Sequence, residues 1–148
     1  MEIINKEENN KSVIDGAQTG TIKKGGGDKH EYKHFTLSNG AKVVLVRKDD
    51  LEKSAISVSI GVGSYDDPTD SEGLAHFLEH MLFMGSEKHP EESGYREYIS
   101  QKGGMYNAVT MGDKTVFLYD VLPEAFEESI DVFSGFFRSP FIRKESIE

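Results

Sequence analysis

Cysteine is absent from all 148 residues, which excludes disulfides, thiolate metal sites and thiol nucleophiles. Positive charge is scarce: 17 Lys and Arg stand against 26 Asp and Glu, a formal net charge of -9. Nucleic acid is a poor partner for such a chain, because neutralising phosphates needs clustered basic residues. An anionic membrane surface is disfavoured for the same reason. No apolar run approaches the ~20 residues that span a bilayer, and the first residues lack the apolar stretch of a secretory signal. The expectation is a cytoplasmic protein with no nucleic-acid or membrane partner. Its length suits one domain with a core of its own.

Residues 1–33 differ from the rest. Asn5-Lys6-Glu7-Glu8-Asn9-Asn10-Lys11 and Lys23-Lys24-Gly25-Gly26-Gly27-Asp28 are polar and Gly-containing. They hold too little apolar surface to offset the entropy of ordering, and predict a flexible polar tail ending in a Gly hinge. His30 and His34 are four apart, but beside that hinge and ahead of a strand they read as solvated side chains. From Phe35 the pattern tightens. Phe35–Leu37 and Ala41–Val46, split by Ser38-Asn39-Gly40, predict a hairpin. Ile56, Val58, Ile60 and Val62 alternate with small residues, a strand with one buried face. Gly61-Val62-Gly63 lacks the third glycine of a dinucleotide fingerprint, and is read as a bulge or a close backbone approach.

Pro68-Thr69-Asp70-Ser71-Glu72 predicts a helix start, with Thr69 as N-cap and Glu72 completing a capping box. Leu74, Phe77, Leu78, Met81 and Leu82 then follow, and Gly85 stops the helix. So apolar a helix is expected to be mostly buried. A second helix is expected over Ser93–Lys102, stopped by Gly103-Gly104. Strands are expected at Tyr106–Thr110 and Thr115–Val121, with a hairpin around Gly112-Asp113. Past Pro123, an amphipathic helix should bury Phe126, Ile130, Phe133 and Phe137 until Ser139-Pro140 ends it. Phe141–Glu148 reads as the opening of one more helix. The order of elements predicts an α+β fold, an antiparallel sheet with helices packed on one face.

The chemistry lies in His76-Phe77-Leu78-Glu79-His80. Helical residues four apart share a face, so His76 and His80 lie one turn apart with Glu79 at the edge of that face. Two neutral imidazoles and a carboxylate meet what a catalytic zinc needs: nitrogen ligands, and a base for the activated water. His-x-x-Glu-His is the inverted form of the commoner zinc-peptidase signature. The bland alternative is two core histidines bonded to carbonyls, with Glu79 at the helix edge.

The run Gly73-Leu74-Ala75-His76-Phe77-Leu78-Glu79-His80-Met81-Leu82-Phe83-Met84-Gly85-Ser86 resembles the active-site helix of the insulysin and pitrilysin family of zinc metallopeptidases, peptidase family M16. Ile60-Gly61-Val62-Gly63-Ser64, Asn107-Ala108, Tyr119-Asp120-Val121 and Phe136-Phe137-x-x-Pro140 extend it over residues 35–148. The resemblance implies Zn2+ held by His76 and His80, with Glu79 as catalytic base. It implies that Asn107 and Ala108 lie on an edge strand that pairs with the backbone of a peptide substrate. Asn107 has a structural alternative, a side chain bonded to its own backbone. Phe83 and Val109 either line a pocket beyond the scissile bond or belong to the core.

Two departures bear on function. Position 78 is Leu where thiol-sensitive insulysins carry Cys, so thiol reagents should have no target here. The family's third ligand is a Glu several turns beyond residue 148, and Glu145 and Glu148 come too early to match it. Residues 34–148 are therefore expected to be the N-terminal portion of an M16-type domain, truncated before the third zinc ligand. The remainder of a parent protein, or a second homologous half, would be its partner, and alone it should bind zinc weakly with little proteolysis. The competing readings are a non-catalytic homologue that binds peptides or subunits, and a third ligand within the chain drawn from Glu87, His89, Asp113 and Asp120.

Overall fold

A computed structural model describes residues 22–147. Most of the expected tail lies outside them. The chain divides into two compact units, Met1–Asp50 and Leu51–Glu148.

In the first unit, β1 (Glu31–Thr36) pairs antiparallel with β2 (Lys42–Arg47), from Glu31 opposite Arg47 to Thr36 opposite Lys42. The turn between them uses the expected Asn-Gly signal. Asn39 Oδ1 accepts the Ala41 N–H at 3.0 Å, and Gly40 adopts φ 85°, where a Cβ would be strained. The strand begins four residues before Phe35 and takes in both His30's neighbour Glu31 and His34. His30 bonds Asp28 through Nδ1 at 2.7 Å.

The second unit holds β3 (Ser54–Ile60), α1 (Leu74–Leu82), α2 (Gly94–Gln101), β4 (Met105–Thr110), β5 (Thr115–Val121) and α3 (Phe126–Arg138). Its sheet has the order β3-β5-β4, antiparallel throughout, which leaves β4 at an edge. Antiparallel pairing and helices against one sheet face match the α+β expectation, although the strands form two sheets. Phe117, Tyr119 and Val121 alternate inward along β5, and Leu82, Tyr95, Ile99, Phe133 and Phe136 from the three helices close over them. Tyr95 meets Phe136 edge-on, with ring centroids 4.7 Å apart. The Tyr119 hydroxyl donates to Ser129 Oγ at 2.8 Å, and Ser129 donates to the Phe126 carbonyl at 2.6 Å, which ties α3 to the central strand.

Three local expectations need correction. The α3 face that is buried carries Ser129, Val132, Phe133 and Phe136, while Ile130 and Phe137 are exposed. Ser129, polar but fully bonded, hid that stripe from the periodicity. The helix expected after Phe141 is only a 3-10 turn over Lys144–Ser146. Finally, α1 starts at Leu74, five residues after the expected Thr69 cap, with Gly73 at φ 90° as N-cap. Asp67 supplies the capping acceptor from the preceding loop: its Oδ2 takes the Gly73 N–H and its Oδ1 the Ala75 N–H, both at 2.8 Å.

Gly61-Val62-Gly63 does mark a close backbone approach. A Cβ on Gly63 would stand 2.3 Å from the Met111 carbonyl oxygen. The bare glycine lets Ser64 N–H reach that oxygen at 2.9 Å and Tyr65 N–H reach the Gly112 carbonyl at 2.8 Å. The loop leading to α1 is thereby clamped onto the β4–β5 turn. Among the described residues, no helix is long and apolar enough to cross a membrane.

Candidate metal centre

Helix α1 carries His76 and His80 on one face, with their Nε2 atoms 3.1 Å apart. Both are exposed, whereas Glu79 is 7% exposed. Donor atoms of the three residues all lie within 4.8 Å of one another, so the trio can bind a metal ion. The fit is geometric: two ligands of a tetrahedral zinc, each at about 2.0–2.1 Å, lie about 3.3 Å apart. The two imidazole nitrogens already stand near that separation and face each other, so the reading of two histidines bonded to core carbonyls does not describe this helix.

The expectation that this helix is mostly buried is not met. Leu74, Phe77 and Leu78 are 48%, 42% and 44% exposed, and within α1 only Met81, Leu82 and Glu79 are buried. The reason is orientation: α1 lays its Glu79–Leu82 side on the sheet and turns Leu74, Phe77 and Leu78 away from it.

Beside His76 and Glu79 is an open cleft of about 590 Å³. One wall is the α1 end with Asp67, Glu72, Gly73, His76 and Glu79, and the opposite wall is Ala108, Val109 and Thr110 of edge strand β4. Ala108 thus shares a cleft with His76 and Glu79. Asn107 does not line it; its Oδ1 accepts the Ala108 N–H at 3.0 Å, the local bond that was its structural alternative. Val109 is a cleft residue, 44% exposed. Phe83 is core, with ring centroids 5.0 Å from Tyr106 and 5.7 Å from Phe136.

Candidates for a third ligand inside the chain are not brought to the trio. Among the described residues, the metal-capable group is His76, Glu79 and His80 alone. Asp120 is paired with Lys53 at 2.7 Å and also accepts the Met105 N–H. Glu87 and Asp113 are exposed elsewhere, and His89 sits half-buried in the turn after Ser86, its backbone N–H donating to the Ser86 carbonyl at 3.0 Å. Glu145 is exposed on the last 3-10 turn, and Glu148 lies outside the described residues.

One contact was invisible to sequence reasoning. Thr110, the last residue of β4, donates its hydroxyl to Glu79 Oε2 at 2.6 Å across a separation of 31 residues. No local spacing rule links a strand terminus to a helix that far back.

Fold and site together define a class: an α+β domain with a metal-capable His-x-x-Glu-His helix beside an open sheet edge. The family model for insulinase, peptidase family M16, matches residues 42–148. The chain is 44% identical over 119 residues to insulin-degrading enzyme-like 1, peroxisomal, of Arabidopsis thaliana, covering 80% of this chain and 12% of that protein. It is 41% identical over 113 residues to the insulin-degrading enzyme of Homo sapiens, covering 76% of this chain and 11% of that one. The crystal structure of pitrilysin matches with a TM-score of 0.83 at 36% identity, over 88% of this chain and 14% of that chain. This chain belongs to the M16 peptidase family and spans about an eighth of the length of the curated relatives it matches.

Proposed function

We propose that the chain is the N-terminal part of the catalytic domain of a zinc-dependent metalloendopeptidase that hydrolyses peptides or small unfolded proteins. The observation that carries this reading is the pair of Nε2 atoms 3.1 Å apart, with buried Glu79 beside them, at a cleft walled by an edge strand.

Zinc, held by His76 and His80 and by a third ligand from outside these 148 residues, would supply a water acidified toward a pKa of about 7 and would polarise the scissile carbonyl. Glu79 would hold the proton of the attacking water on its carboxylate and pass it to the amine nitrogen as the bond between that nitrogen and the carbonyl carbon breaks. The substrate backbone adds to β4 as an extra strand, displacing the Asn107 side chain from the Ala108 N–H that it now occupies. The rest of a parent protein, or a second homologous half, completes the cleft. A non-catalytic peptide- or subunit-binding module would use the same edge strand but leave the intact trio without a role. A cytoplasmic address belongs to the proposal too; the peroxisomal relative names the rival compartment, and imaging of the tagged protein decides between them.

Glu79→Gln in the longest native form of the protein tests the mechanism. The expected result is retained zinc with a loss of peptide hydrolysis of about 10²–10⁴-fold, the usual worth of a positioned base. Unchanged hydrolysis would remove Glu79 from that role.

A further inference from the structure

We infer that Thr110 is a positioning residue for Glu79, and that it ties the carboxylate to the same strand that borders the cleft. The inference rests on the reading of Glu79 as the base.

Four observations carry it. Glu79 is the one acidic side chain among the buried polar residues described, so its orientation depends on protein groups more than on water. Its Oε2 accepts the Thr110 hydroxyl at 2.6 Å, short enough for a charge-assisted bond. That leaves Oε1 as the oxygen free to meet a proton. Thr110 is itself held firmly: it pairs with Thr115 across the β4–β5 ladder, and Thr115 Oγ1 donates to the Val62 carbonyl at 2.9 Å. A β-branched side chain at a paired strand position has little rotamer freedom, so its hydroxyl is a fixed point.

The strand alternation gives this bond its consequence. Ala108 and Thr110 are two apart, so they face the same side of β4, and both line the cleft with Glu79. A peptide backbone seated along β4 at Ala108 and a carboxylate anchored to β4 at Thr110 are therefore referenced to one rigid element. Their spacing is thus constrained by the strand as well as by the position of α1. Placement of a base relative to its substrate is worth large factors in rate, and small displacements forfeit them.

The test compares Thr110→Val, which keeps shape and removes the hydroxyl, with Thr110→Ser, which keeps the hydroxyl. In the 148-residue chain, NMR couplings of the Glu79 side chain should report one rotamer in the wild type and in T110S, and averaging in T110V. In the longest native form, T110V should lower kcat for a fluorogenic peptide about 10- to 100-fold, the scale of a hydrogen bond to a charged group, with KM and zinc content unchanged. T110S should restore most of kcat. Averaged couplings in the wild type, an unchanged kcat in T110V, or a loss in T110V that T110S fails to rescue would each overturn the positioning role. Glu79→Gln in the same assay separates the two ideas. Inactive E79Q with fully active T110V defeats only Thr110, whereas active E79Q defeats the reading of the base itself.

Discussion

Glu79 and the two histidines were legible because the information is local: five consecutive residues on a helix fix which side chains converge. Thr110 and Asp67 were not, since each acts on α1 through a contact set by the tertiary fold. Tyr95 shows a further residue-scale property that periodicity cannot reveal. It is 3% exposed at the centre of the aromatic core, and its hydroxyl is buried without a hydrogen-bond partner. Burial pushes its phenol well above the ordinary tyrosine range, raises Tyr119 likewise, and takes Tyr98 up to about 12. In the fold these phenols keep protons that the unfolded chain loses near pH 10. Their contribution to stability is therefore complete below about pH 10 and is lost as the pH rises above it. Tyr95→Phe removes an orphan hydroxyl, and should leave the protein as stable or more stable by about 1 kcal/mol at neutral pH. It should also blunt alkaline unfolding; denaturant melts at pH 7 and pH 11 measure both effects.

At the scale of elements, β4, β5 and α2 were read to within a residue, whereas the starts of β1 and α1 were missed. β4 and β5 fall within a residue of their expected bounds because period-2 alternation and the Gly112-Asp113 turn are strong signals. The start of α1 was misjudged because Thr69 and Glu72 satisfy the spacing of a capping box, while the acceptor in use is Asp67, fixed in place by the loop that Gly63 lets approach the β4–β5 turn. α1 has only nine residues, too few to be stable alone, so its end is worth protecting. Asp67→Ala frees two N–H groups and should cost about 1 kcal/mol, within the usual 0.5–2 for a lost cap. Because the same cap sets the helix that carries His76, zinc affinity should fall with it. Equal stability and equal zinc affinity in wild type and D67A would show that solvent replaces the cap without loss.

At the scale of the whole molecule, the antiparallel α+β architecture followed from the order of elements, and the pitrilysin fold agrees with it. Burial did not follow. A helix rich in Leu and Phe was expected inside, yet Leu74, Phe77 and Leu78 of α1 are exposed, since amphipathic spacing says which residues share a face and not what covers it. The same limit applies to metal ligands from distant residues: among the described residues, the metal-capable group is His76, Glu79 and His80. Ligand nitrogens must be deprotonated to bind metal, so zinc affinity should weaken as the pH falls. The most direct measurement is a calorimetric zinc titration of the 148-residue chain, with His80→Ala as its control. The expected result is one-to-one binding, weaker than a complete three-ligand site, that vanishes in H80A. Heat unchanged by H80A, or no binding at all, would contradict a zinc centre on α1, and tight binding would contradict a third ligand from outside these residues.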